Sequence, residues 1–342
     1  MHFLRKEENL MAQAFLQFGL TAVVVIIAGV FLTRSADAIS EKTKIGKLMA
    51  GSILLAGATS LPELMVDISA IRKGMPDLAV GDLFGSSLMN LLILAVVDLL
   101  HRSPHNMFSR EGAEHALSAS MSIAVTAMAA LAIFLGSKLE HFTLGSIGVG
   151  PIAIVVFYVL GLRVVARDQK IKESDQDANK QKDRKGLVRA IAIYIASGVA
   201  IFLAAPYMAD AAGTIADESG LGKTFVGTTL VALCTSLPEL VATISAFRMG
   251  AFDMAVGNIF GSNAFNMILL LPLDGFHPGS LLADASNSHV LSALAVILAT
   301  SVAVMGQLYQ EENRKKLIEP DAVSVIALIL GSLYLLYWTG AT

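Results

Sequence analysis

The chain has 342 residues, 55% of them hydrophobic and only 15% charged, with a mean hydropathy of +0.66. A soluble protein carries about 25% charged residues, so the composition excludes a soluble globular protein and points to an integral membrane protein. A single cysteine, Cys234, excludes an intrachain disulfide and a cysteine-built metal site, and the formal net charge of −3 means little until the charges are placed along the chain.

The first ten residues, Met1 to Leu10, are polar and hold Arg5, Lys6, Glu7 and Glu8. The apolar run that follows is too long for a signal-peptide core and lacks a cleavage site, so it reads as a retained span; Met11 is an alternative start. Runs long enough to cross about 30 Å of hydrocarbon fall at 13–33, 46–71, 77–100, 115–136, 142–164, 187–208, 222–247, 253–274, 289–309 and 321–341. The expected fold class is therefore an all-α integral membrane protein of ten transmembrane helices. One connection, Arg167 to Lys185, is strongly charged and reads as a solvated linker. It divides the chain into a half at 1–165, a linker at 166–186 and a half at 187–342. Arg34, Lys42, Lys44, Lys47, Arg102, Arg110, the linker cluster, Arg248, Arg314, Lys315 and Lys316 fall on one side of the membrane, and Arg5, Lys6, Arg72, Lys73, Lys138 and Lys223 on the other. By the positive-inside rule the linker is cytoplasmic and both termini lie outside, in a cell inner (plasma) membrane.

Spans two and three are repeated in spans seven and eight, at about 45–98 and 221–274. Thr59-Ser60-Leu61-Pro62-Glu63-Leu64 returns as Thr235-Ser236-Leu237-Pro238-Glu239-Leu240. Gly81-Asp82-Leu83-Phe84-Gly85-Ser86 returns as Gly257-Asn258-Ile259-Phe260-Gly261-Ser262, and Asn90 as Asn266. About 20 of roughly 36 aligned positions are identical, far more than shared apolar composition produces. Five spans separate the copies, so they cross the membrane in opposite directions. Inverted repeats of this kind recur in secondary transporters, with the substrate bound between them near the midplane.

The repeated residues are oxygen-rich. In a helix Thr59 and Ser60 share a face with Glu63, and Thr235 and Ser236 with Glu239. Pro62 and Pro238 lack an N–H, which bends the chain and frees the carbonyls of Ala58 and Cys234. Ser86 and Asn90, with Ser262 and Asn266, add hydroxyls and carboxamides, while the Gly-x-x-x-Gly patterns Gly81/Gly85 and Gly257/Gly261 admit close helix packing. Glutamates in mid-span are costly, and their default reading is an ion or proton site. The set is hard and all-oxygen, suited to Ca²⁺ with Na⁺ or H⁺ as competitors.

These segments resemble the alpha-1 and alpha-2 repeats of the sodium/calcium exchanger family, within the cation/Ca²⁺ antiporter superfamily. Close matching is confined to the two repeats. The resemblance implies a two-half inverted-repeat fold with a four-helix core, across which the first and sixth helices slide to alternate access. It implies Thr59, Ser60, Glu63, Ser86, Asn90, Thr235, Ser236, Glu239, Ser262 and Asn266 as ion ligands, with backbone carbonyls near Ala56 and Ala232. The chain resembles the compact prokaryotic form, with no resident cofactor and with Ca²⁺ and Na⁺ or H⁺ as its transported partners.

One departure bears on coupling: Asn266 stands where sodium-coupled members often have Asp. Two carboxylates neutralise one Ca²⁺, two Na⁺ or two protons, so exchange is expected to be close to electroneutral. Asp82, in a Gly-Asp pair where the second copy has Asn258, is a candidate third charge, but it lies eight residues before Asn90, about 12 Å along a helix, and stays outside the expected ligand set. Asp67 has only Thr243 as its counterpart, and Asp98 and Asp274 read as solvated caps or vestibule charges. A Ca²⁺/H⁺ antiporter and a passive cation channel are the alternatives. Hydrolase chemistry is excluded by the absence of a Ser-His pair in the repeated core, since His101, His105, His115, His141, His277 and His289 all lie at or beyond span ends. The basic linker is interleaved with acids and points to no nucleic acid.

Overall fold

A computed structural model of the chain describes residues 2–100, 112–173, 184–218, 234–308 and 320–338. Among these the span-sized helices are α1 (His2–Thr43), the broken span α2 (Lys47–Arg72), α3 (Pro76–Leu100), α4 (Gly112–Phe134), α5 (Val149–Glu173), α6 (Arg184–Glu218), α7 (Leu237–Arg248), α8 (Phe252–Phe276), α9 (His289–Leu308) and α10 (Pro320–Trp338). Eight of them are long and apolar enough to cross a bilayer. The other two of the expected ten are α10, whose apolar part is Ala322–Leu335, and α7, the described end of the seventh predicted span. The start of that span at 222–233, with Lys223 and Ala232, lies outside the described residues, as do linker residues 174–183, His101, Arg102, His105, Arg110, Arg314, Lys315 and Lys316. The chain is a multi-pass, all-α membrane protein with two inverted five-helix halves.

Three sequence expectations are corrected. The first helix does not stop near Thr33 but continues to Thr43. Nothing between Ser35 and Lys42 breaks a helix, and Asp37 is held by Lys47 at 3.2 Å. The fifth span does not begin at 142. Residues Thr143–Leu144 and Ile147–Gly148 form an antiparallel hairpin turning at Gly145 (φ 67°), and the helix starts only at Val149. That helix then runs on to Glu173, and the next begins at Arg184, so both ends of the predicted linker are helical. Arg, Lys, Asp and Glu without Gly or Pro continue a helix into water at little cost.

The repeat is visible in the backbone itself. Ser60 interrupts α2 with φ −83° and ψ 1°, and Ser236 has φ −83° and ψ 2°. Both helices then restart with proline in the first turn, where a missing N–H costs nothing. They end alike, at Lys73 (φ −85°) and Met249 (φ −84°), followed by Gly74 and Gly250, each at φ 74°. Only glycine enters that left-handed region without penalty, which explains its retention in both copies.

The halves interdigitate around α2, α3, α7 and α8. The helix α8 is the most enclosed span, touching α2, α3, α4, α5 and α7. Helices α4 and α5 of the first half pack on α8, while α9 and α10 of the second half pack on α3. Outside this core α1 and α6 lie against each other, α1 also touching α7 and α6 touching α2. Their outer faces expose Leu16, Leu20, Val23 and Ile27, and Ile195, Val199, Leu203 and Tyr207, as helices facing lipid do. Cys234 is a buried packing residue beside Val25, Met208 and Ala212.

Candidate ion-binding site

The site is built from the breaks in α2 and at the start of α7. Upstream of Ser60, residues Ala50–Leu55 form a π-helical turn, a local widening that sequence patterning does not reveal and that often accompanies function. The turn lies against α8 at the two glycines of the second copy. A Cβ on Gly257 would collide with the Leu48 carbonyl, and one on Gly261 with Ser52 Cα. The backbones therefore touch, as the Gly-x-x-x-Gly pattern predicts. Tyr194 Oη of α6 donates to the Leu54 carbonyl at 2.8 Å, and Thr59 Oγ1 to that of Leu55 at 2.9 Å.

Downstream of each break, Glu63 and Glu239 occupy the first turn of a half-helix. The N-terminal end of a helix carries partial positive charge and unbonded N–H groups, which favour a carboxylate there. The two glutamates are 1% and 0% exposed and lie close enough to repel one another. None of their four oxygens has a hydrogen-bond partner among the described residues. The same holds for the Ser60, Ser236, Ser86 and Ser262 hydroxyls and for Oδ1 of Asn90 and Asn266, all of them buried. Eight of the ten expected ligands thus keep an unpartnered oxygen inside the protein. Orphaned buried acceptors are rare and call for an explanation; a bound cation supplies one.

The carboxamides are oriented by their nitrogens. Asn90 Nδ2 donates to Asn263 Oδ1 at 3.0 Å, Asn263 Nδ2 to the Ser87 carbonyl at 3.1 Å, and Asn266 Nδ2 to the Leu83 carbonyl at 3.5 Å. The donors tie α3 to α8 and leave Oδ1 of Asn90 and Asn266 as the free ends among the described residues. Sequence reasoning missed Asn263; its only signal was a polar exchange with Ser87 between the copies. Thr59 Oγ1, besides its bond to the Leu55 carbonyl, lies near Glu239 of the opposite repeat.

Three features outside the expected set also emerge. Asp82 lies within electrostatic reach of both Glu63 and Glu239, and Asp67 lies beside Asp82. The charge count of two is therefore incomplete. Asp274, expected as a solvated cap, is fully buried and accepts the N–H groups of Gly148 (2.6 Å) and Leu281 (2.7 Å). Lastly, His289 Nε2 meets Asp77 Oδ1 and His115 Nε2 meets Asp253 Oδ1, each at 3.0 Å. These two pairs correspond under the repeat and join opposite halves. Near the Asp77 end a cavity of about 770 Å³ opens between Arg72, Pro76, Phe276, His277 and Asp284.

The family model described as sodium/calcium exchanger protein matches residues 13–166 and 189–341. The chain belongs to that family. It is 29% identical over 298 residues to the inner membrane protein YrbG of Escherichia coli, with 85% of this chain and 88% of that protein covered. It is 29% identical over 314 residues to the sodium/calcium exchanger MaX1 of Methanosarcina acetivorans, covering 83% and 89%. Among solved structures, the sodium-calcium exchanger NCX_Mj soaked with Na⁺ and Sr²⁺ superposes with a TM-score of 0.71 at 17% identity, covering 95% of this chain and 99% of that one. That likeness carries the fold. Membership makes the chain a cation/Ca²⁺ antiporter, and the exchanger's two repeats are the part richest in buried, unpartnered oxygen.

Proposed function

We propose that the exchanger moves Ca²⁺ against a monovalent cation, Na⁺ in the first place, at one site between its inverted repeats near the membrane midplane. Glu63 and Glu239 supply the charge. Ser60, Ser86 and Asn90 with Ser236, Ser262 and Asn266 supply neutral oxygens, and Thr59 and Thr235 complete the shell. Backbone carbonyls loosened by the breaks at Ser60 and Ser236 are available to join them. Both termini face outward and the connection at 166–186 is cytoplasmic, as the lysine and arginine distribution directs.

The observation that carries this reading is the doubled set of orphaned oxygens, contributed equally by two segments that run in opposite directions. A hard divalent cation takes six to eight such oxygens, and two carboxylates match its charge. Alternating access follows from the packing: α1 and α6 contact each other and touch the core at α7 and α2, so the pair can shift against the four core helices without dismantling the site. Na⁺ is named as counter-ion because its ligands are the same hard oxygens and its charge lets two ions replace one Ca²⁺.

Equilibrium ⁴⁵Ca²⁺ binding to the purified protein tests this, with Na⁺ and pH varied separately. Displacement of bound Ca²⁺ by Na⁺ at fixed pH is the expected result. Displacement by protons alone would reassign the counter-ion, and an absence of Glu63-dependent Ca²⁺ binding would overturn the site.

A further inference from the structure

The two repeats differ in charge at a pair of positions beside the central glutamates. In the second half, Asn258 Nδ2 donates to Thr243 Oγ1 at 3.0 Å and to the Glu239 carbonyl at 3.5 Å, a pair that carries no charge and leaves only the neutral Asn258 Oδ1 without a partner among the described residues. The corresponding residues of the first half are Asp82 and Asp67, whose carboxyl groups face each other. Asp67 is 0% exposed and both its oxygens lack a partner among the described residues, as does Oδ2 of partly exposed Asp82. Two facing carboxylates without a counter-charge repel each other, and the buried Asp67 forgoes hydration as well, an arrangement that a cation between them relieves. The other half shows that the fold fills these positions without any charge.

Their position along the spans gives the pair a direction. Asp67 lies five residues before the end of α2 and Asp82 six residues into α3, about 8–9 Å from the shared turn at residues 73–75. Glu63 lies one helical turn deeper than Asp67. An ion entering at that turn meets Asp77 first, then Asp82 and Asp67, then Glu63. The opposite route meets Asp253, then the neutral Asn258–Thr243 pair, then Glu239. Each approach has an acid at its mouth, Asp77 or Asp253, but only the first has two carboxyl groups between that mouth and the central glutamate.

We infer that Asp67 and Asp82 form a second cation subsite, on the approach from the 73–75 turn, which captures a hard divalent cation before it passes to Glu63 and Glu239. Two carboxylates carry the charge of one divalent ion, and their oxygens are the ligand type that Ca²⁺ takes. The inference rests on the reading of Glu63 and Glu239 as the transport site and adds to it a sidedness that inverted symmetry alone would not give.

The test converts the pair to its counterpart in the other half, with Asp67→Thr and Asp82→Asn together, a combination already accommodated by the fold at Thr243 and Asn258. Bound ⁴⁵Ca²⁺ at saturation is counted on the full-length protein, and the KM for Ca²⁺ is measured from each side in proteoliposomes whose orientation is fixed by labelling. The unmodified protein should bind about two equivalents and the double variant about one. The KM on the 73–75 side should rise about tenfold while that on the opposite side moves less than about twofold. An unchanged stoichiometry, or an equal KM shift on both sides, overturns the subsite; so does a pair that takes up only a proton, which leaves the Ca²⁺ count the same in both proteins. Glu63→Gln with Glu239→Gln is the separate arm. If those changes remove no Ca²⁺, the transport-site reading falls, whereas the subsite is judged on the equivalent that depends on Asp67 and Asp82.

Discussion

Gly261→Ala perturbs the closest approach in the core. A Cβ there would lie 2.7 Å from the Ser52 carbonyl oxygen and 2.9 Å from the carbonyl carbon, and closer still to Ser52 Cα. Non-bonded carbons prefer about 3.5–4.0 Å, and all three obstacles are backbone, so no rotamer can relieve the clash. The π-helical turn and α8 must separate by about 1 Å. Overpacking of this kind costs about 1–3 kcal/mol, and the separation moves Ser60 and Glu63 away from Ser262 and Asn266. The KM for Ca²⁺ should rise by about tenfold to a hundredfold, measured as ⁴⁵Ca²⁺ uptake by reconstituted protein whose folding is checked by size exclusion. Gly331→Ala is the control, since a Cβ there meets nothing within 4 Å among the described residues. Wild-type KM in folded Gly261→Ala would refute the claim that the contact between the π turn and α8 sets the site geometry.

Removing either central charge, by Glu63→Gln or Glu239→Gln, leaves an ion paired with one carboxylate; at about 3–5 kcal/mol for a broken buried pair, exchange should fall more than about a hundredfold while the protein still inserts. Cysteines introduced at Lys73 and at Arg248, in a Cys234→Ala background, should react with an impermeant reagent from opposite sides of the membrane; labelling from one side would remove the inverted topology. Asp274→Asn keeps one acceptor for two N–H donors, so thermal unfolding in detergent should show a loss of about 1.5–3 kcal/mol with Na⁺ competition against Ca²⁺ unchanged. A large change in that competition would move Asp274 from the scaffold into the ion path.

The sequence displays the doubled motif and its inversion because the residues that interrupt a helix are chemically conspicuous. Ser60-Leu61-Pro62-Glu63 and Ser236-Leu237-Pro238-Glu239 adopt the same break to within a degree in φ and ψ. What it does not display are relations set by three-dimensional packing. The π turn at Ala50–Leu55 has no signature residue, and it exists where α2 must meet Gly257 and Gly261. Helical spacing pairs Thr59 with Glu63 and gives no sign that Glu239 of the opposite repeat also lies near it. Asp82 is discounted by its distance along the helix from Asn90 and Asp67 by its neutral counterpart Thr243, yet Asp67 is fully buried with both oxygens unpartnered among the described residues. Similarly, His115 and His289 look like unrelated span-end residues until Asp253 and Asp77 are found opposite them. Hydropathy places the end of α1 and the start of α5 at the limits of the apolar runs, whereas α1 runs on past Arg34 to Thr43 and α5 starts only after the hairpin that turns at Gly145.

Uphill flux puts the exchange itself to the test. Proteoliposomes loaded with Ca²⁺ above the outside concentration, and given an outward Na⁺ gradient, should accumulate still more ⁴⁵Ca²⁺, with no accumulation when the gradient is collapsed or when Glu239→Gln protein is used. A pH gradient imposed alone should drive little. Movement of ⁴⁵Ca²⁺ only down its own gradient, under every Na⁺ and pH condition, would contradict an antiporter built on Glu63 and Glu239 and leave a passive pore in its place.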